Sequence, residues 1–161
     1  MTTMQRHFSF VALIAALGAA HAVFAQEQTP QVEMGFWNGS LRSVQMGGSG
    51  RYSGTAKIAP VPGKPANFRR VELRLSTPGG SGLFEWSVSP GRCGSIIQPV
   101  KRPTELPSLE TRSAGNAELM FEGALFDFKG DSTYQLMVFK DGAKEQHMVA
   151  CANMKYAAPK P

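Results

Sequence analysis

Two hydrophobic patterns divide the chain. From Phe8 to Ala20 the residues are apolar, broken only by Ser9 and Gly18. Beyond residue 32, apolar and polar positions alternate over short stretches, the period of a half-buried β-strand. Phe68 to Ser76 is the cleanest case: Val71, Leu73 and Leu75 share one face, and Arg70, Glu72 and Arg74 the other. Leu83 to Ser89 repeats it, with Phe84, Trp86 and Val88 toward a core and Ser87 and Ser89 outward beside Glu85. Three later strands are predicted at Ala117–Leu125, Ser132–Lys140 and Gln146–Tyr156. Their inward positions include Leu119, Phe121, Leu125, Tyr134, Leu136 and Val138. Glu33–Val44, carrying Phe36-Trp37 and Leu41, and Tyr52–Pro60 complete the set.

Gly, Ser and Pro cluster between these runs, at Met46–Gly54, Pro60–Pro65 and Thr77–Gly82, and Asp141-Gly142 is a further turn signal. Pro90 to Asn116 is long, Pro-rich and irregular, apart from a short strand expected at Ser95–Gln98. A loop of that length in a small domain is functional or tied down. Seven or eight short strands without a helix predict an all-β antiparallel sandwich or flattened barrel.

The first apolar run reads differently once its flanks are included. Arg6 precedes it, and Ala22-Val23-Phe24-Ala25 follows with small residues at the last and third-last positions. A charged start, an apolar middle and a small-residue cut describe a secretory signal peptide. The run is about 13 residues, short of the ~20 that span a bilayer. Cleavage is expected after Ala25, with Ala22 as the alternative. The expected organisation is therefore a signal peptide at 1–25, a disordered leader at 26–32, one β domain at 33–157 and a tail at 158–161. The exported chain would be periplasmic or secreted.

Removing the leader changes the composition. His7 and His21 leave with it, so His147 is the one histidine of the mature domain. Arg6 is the only charged residue lost, which leaves 16 Lys+Arg against 12 Asp+Glu, a formal charge of +4. The charge is spread along the chain, without the clustered patch of a nucleic-acid binder. A weak attraction to anionic envelope partners fits that balance. No second apolar run reaches membrane length. The only cysteines are Cys93 and Cys151. In an exported protein an even count predicts a disulfide, and with two the pairing is forced.

Two stretches carry a family resemblance. Trp86-Ser87-Val88-Ser89-Pro90-Gly91-Arg92-Cys93-Gly94 and Met148-Val149-Ala150-Cys151-Ala152 together resemble the copper/zinc superoxide dismutase superfamily, including its divergent bacterial members. Leu106-Pro107-Ser108-Leu109 followed by Gly115-Asn116-Ala117 is similar to a stretch of the same relatives. The resemblance covers roughly Trp37 to Tyr156 and implies a Greek-key β-sandwich with a bridge from the first cysteine loop to the late strand. It also implies an aromatic-His-x-His strand for copper. Here those two histidines fall on Ser87 and Ser89, degenerate metal-ligand positions, since a hydroxyl is a poor copper ligand beside imidazole. The family's zinc loop brings His and Asp, and Pro90 to Asn116 has neither. The family's steering Arg falls on Met148. The resemblance therefore implies the scaffold without its metal, its cofactor or its dismutase activity.

Other chemistry is weaker. His147 is expected near the surface, on the strand face opposite Met148. Gly47-Gly48-Ser49-Gly50-Arg51 and Gly79-Gly80-Ser81-Gly82-Leu83 miss the nucleophile-elbow pattern at the last position and read as turns. Asn38-Gly39-Ser40 matches a glycosylation sequon and is equally a turn. The mature methionines invite a copper(I) site but are dispersed, which favours packing. Glu118 and Glu122 read as solvated carboxylates flanking Met120.

The reading that follows is an exported, non-catalytic, metal-free domain with a binding or structural role in the envelope. Its expected surface lies between Ser87, Ser89, Arg92 and the following loop, whose Lys101, Arg102 and Arg112 suit a small anion or an acidic partner. The alternative is a weak copper- or zinc-binding protein that uses His147 and methionines.

Overall fold

The computed structural model describes residues 34–44, 51–95, 105–111, 115–140 and 147–159. The signal peptide, the 26–32 leader, most of the 46–54 turn, Lys101, Arg102, Arg112 and the Asp141-Gly142 turn lie outside these residues.

Eight strands follow in chain order: β1 Phe36–Ser43, β2 Ser53–Pro60, β3 Phe68–Ser76, β4 Gly82–Pro90, β5 Leu109–Thr111, β6 Asn116–Ala124, β7 Tyr134–Lys140 and β8 Met148–Ala157. They form one antiparallel sheet in the order β5-β4-β7-β8-β1-β2-β3-β6. Its two edge strands, β5 and β6, contact one another and bring the sheet close to a closed barrel. β3 pairs with β6 and β4 with β7, so two connections cross over intervening strands in Greek-key fashion.

Alternation builds the interior. Val71, Leu73 and Leu75 of β3 meet Phe121, Leu119 and Ala117 of β6 in register, all on the inner face. Phe84, Trp86 and Val88 of β4 enter the same core as Leu136 and Val138 of β7. Trp86 is fully buried, and its Nε1 donates to the Pro107 carbonyl at 2.8 Å. Burial of such a ring removes some 150–250 Å² from water, roughly 4–6 kcal/mol before entropy is counted.

The long loop departs from the sequence expectation. Its second half contains β5, with Leu109 and Thr111 buried and Glu110 exposed. Three residues are too short for a period of two to register in sequence. The Trp86–Pro107 bond, the buried Leu106 and the Thr111 hydroxyl, within 3.3 Å of the Gly80 and Gly82 carbonyls, tie this half to the barrel. Of the strand expected at Ser95–Gln98, only Ser95 is described, and it is a bend. Asn38-Gly39 is no turn: both residues lie inside β1. Gly79 and Gly80 do form the β3–β4 turn, with φ of 135° and 82°, a region that favours glycine.

Cys93 and Cys151 are bonded, with Cα atoms 5.9 Å apart and a sequence separation of 58. The bridge fastens the segment after β4 to the middle of β8. Loop-closure entropy for that span is about 4 kcal/mol.

Candidate functional site

Three places could carry chemistry. The first is the outer face of β4, β7 and β8. Ser87 and Ser89 do point away from the core face, as alternation requires. They are not at the surface, however: both are 0% exposed. Ser87 stands opposite Met137 and Ser89 opposite Gln135. Met137, Phe139, Met148 and Cys151 form a second apolar cluster on this outer side, with Val44 and Cys93 packed against it. β7 is thus buried on both faces, six of its seven residues being buried.

The polar atoms inside this wall lack partners. The hydroxyls of Ser87 and Ser89 and Nε2 of Gln135 make no hydrogen bond. Oε1 of Gln135 lies 3.7 Å from Sγ of Cys151, but a disulfide sulfur carries no proton, so this is a contact only. An unpaired buried polar group costs about 1–3 kcal/mol. Two hydroxyls and one carboxamide among thioethers and a phenyl ring do not make a copper or zinc donor set. No group of three or more His, Cys, Asp or Glu is placed to hold a metal among the described residues. His147 is half-buried and precedes β8 rather than lying on it.

The second place is an open cleft of about 440 Å³ over β1 and β8, beside the disulfide. Its walls include Asn38, Ser40 and Arg42 from β1 and Asn153 and Lys155 from β8. Here the ladder is interrupted. Asn38 pairs with Lys155 and Arg42 with Cys151, yet residues 39–41 and 152–154 between them do not pair. Val44 N–H donates to the Val149 carbonyl at 3.1 Å. Alternation from that bond makes Ser40 and Asn153 the pair that would exchange both ladder bonds. Gly39 leaves no room for a side chain: a Cβ there would stand 2.8 Å from the Asn153 carbonyl oxygen and 2.9 Å from Met154 Sδ. Oδ1 of Asn153 accepts from the Cys93 N–H at 2.8 Å, which ties the cleft to the bridge.

The third place is one end of the barrel. Arg69 continues the inward face of Val71, Leu73 and Leu75 and is buried. Its guanidinium sits 5.5 Å from the Trp37 ring and 5.3 Å from the Phe128 ring. Burial pushes it below its ordinary pKa, and the charges of Asp127 and Tyr134 act in the opposite direction. Its Nε is unpaired. The rings around it stack on one another, Phe126 on Phe128 at 4.2 Å and Phe128 against Tyr134 at 4.7 Å. The rings and the guanidinium pack together as an end cap. Arg69 was legible as inward from the period of two, since it is in phase with Val71.

Of the residues singled out from sequence, the structure brings Ser87 and Ser89 together and bonds Cys93 to Cys151. Arg92 is exposed next to the bridge and does not line the cleft. Lys101, Arg102 and Arg112 fall outside the described residues. Glu118 and Glu122 are exposed, as expected, and each faces an arginine: Arg74 at 3.2 Å and Arg70 at 2.6 Å.

The class these features define is an eight-stranded antiparallel Greek-key barrel stapled by one disulfide. No protein-family model matches the chain, and neither a curated protein nor a solved structure matches it.

Proposed function

We propose that the chain is an exported, non-catalytic domain on a superoxide dismutase-like scaffold, without a metal site, serving a binding or structural role in the cell envelope. The observation that carries this reading is the burial of Ser87 and Ser89 in an apolar wall. A catalytic metal needs imidazole donors and an open position for substrate. Two sealed hydroxyls supply neither. The strand order and the bridge from the segment after β4 to β8 support the scaffold half of the reading. The disulfide supports an oxidising compartment, and with it export.

The alternative, a weak copper or zinc protein, draws on one observation: Met137 and Met148, on neighbouring strands, meet in the outer cluster, and His147 adjoins Met148. Thioethers and imidazole suit copper(I).

Elemental analysis separates the two. Untagged protein is incubated with copper(II), copper(I) and zinc, desalted and analysed. The expected result is below about a tenth of an equivalent of each metal, because hydroxyl and amide groups compete poorly with buffer for these ions. Stoichiometric metal, lost on Met137→Leu or Met148→Leu, would establish the alternative. Dismutase assays on the same samples are expected at the background of free metal.

A further inference from the structure

We propose that the cleft over the interrupted β1–β8 ladder binds an oxyanion carried on a small molecule, a phosphoryl group being the best fit. The proposal rests on the binding-domain reading above and gives that domain a site and a ligand class.

Charge comes first. Arg42 and Lys155 stand at opposite ends of the gap, each two residues from the Ser40–Asn153 position. At about 3.3 Å per residue, each is roughly 7 Å along its strand from the centre, within reach of a long side chain. Neither makes a salt bridge, and no Asp or Glu lines the cleft among the described residues. Glu72 lines a neighbouring hollow with Lys57 and Arg74.

Donors come second. Where the ladder is interrupted, the N–H groups of Ser40 and Asn153 have lost their cross-strand acceptors. The Asn153 side chain has spent its oxygen on the Cys93 N–H, which leaves its NH₂ to donate. The Ser40 hydroxyl lies on the same wall. Two backbone N–H groups, a carboxamide and a hydroxyl between two cations recognise an anion by charge-assisted hydrogen bonds. The adjacent carbonyls of the same two residues suit a ligand that also carries hydroxyls.

Size comes third. A volume of about 440 Å³ exceeds what a bare phosphate fills and lies within the range of small-molecule sites. The disulfide forms one wall.

The test is an amide-resolved NMR titration of ¹⁵N-labelled full-length mature protein at constant ionic strength. The probes are inorganic phosphate, glycerol 3-phosphate, and vesicles of phosphatidylglycerol or of phosphatidylcholine alone. Saturable shifts centred on the Ser40 and Asn153 amides are expected with both soluble phosphates. Tighter binding of glycerol phosphate would indicate a soluble ester, and signal loss specific to phosphatidylglycerol vesicles a lipid head group. Arg42→Ala with Lys155→Ala is expected to weaken binding tenfold or more. The control Lys129→Ala with Lys140→Ala, which removes the same charge from exposed positions outside the cleft, is expected to leave it unchanged. Both changed side chains of the double variant are exposed, and an unchanged spectrum elsewhere verifies its fold. Diffuse shifts over all basic residues, or saturable binding that survives the double variant, would overturn the site. Those results leave the metal-free reading standing; stoichiometric copper or zinc in the elemental analysis would remove that reading instead.

Discussion

The outer faces of the two halves of the barrel differ in kind. Over β3 and β6 the face is wet: Arg70 with Glu122 and Arg74 with Glu118 pair across the strands, and Met120 between them is 70% exposed. Over β4, β7 and β8 it is dry: Met137, Phe139 and Met148 cluster with the disulfide, and Ser87, Ser89 and Gln135 on the same face are buried. The same backbone geometry serves both. What differs is the packing: the bridge brings Cys93 onto the apolar cluster of the second face. A residue on the outer face of a strand is therefore solvated in one half and interior in the other.

Removing the bridge gives the largest expected effect. Cys93→Ala with Cys151→Ala is expected to lower stability by about 4 kcal/mol in urea unfolding. Amide exchange is expected to quicken more in β7 and β8 than in β3 and β6. Uniform loss across both halves would show that the bridge does not hold the dry wall in particular. Next in size is a matched pair of methionines. Met137→Ala is expected to cost roughly 3 kcal/mol, as for a buried side chain that leaves a cavity, and Met120→Ala to stay within about 0.5 kcal/mol. Similar values would erase the contrast. Smallest is the ion pairing on the wet face. A double-mutant cycle on Arg70 and Glu122 is expected to give a coupling below about 1 kcal/mol, falling with added salt.

This contrast also separates what sequence discloses from what it does not. β3 is legible residue by residue, because its two faces meet different solvents and the alternation is complete. β7 is legible on one face only. Gln135, Met137 and Phe139 look like an ordinary outer face, and no local pattern announces that they are buried. For the same reason Ser87 and Ser89, outward by alternation, look solvated in sequence, although both are buried. β5 escaped because three residues cannot show a period. Asn38-Gly39 suggested a turn because those residues favour turns, yet the pairing of β1 with β2 and β8 keeps them in a strand. The disulfide was legible from cysteine count together with the expected export. The cleft was not, since it depends on an interruption between strands more than a hundred residues apart.

On the proposed reading, the wall around Ser87 and Ser89 is packing and not a site. The most direct measurement is the unfolding free energy of the Ser87→Ala, Ser89→Ala double variant. Each buried hydroxyl without a partner costs about 1–3 kcal/mol, offset in part by the contacts its removal loses, so the variant is expected to exceed the parent by about 1 kcal/mol or more. A loss of more than about 1 kcal/mol would mean that these hydroxyls bind something in the native protein, and the account of a sealed wall would fail.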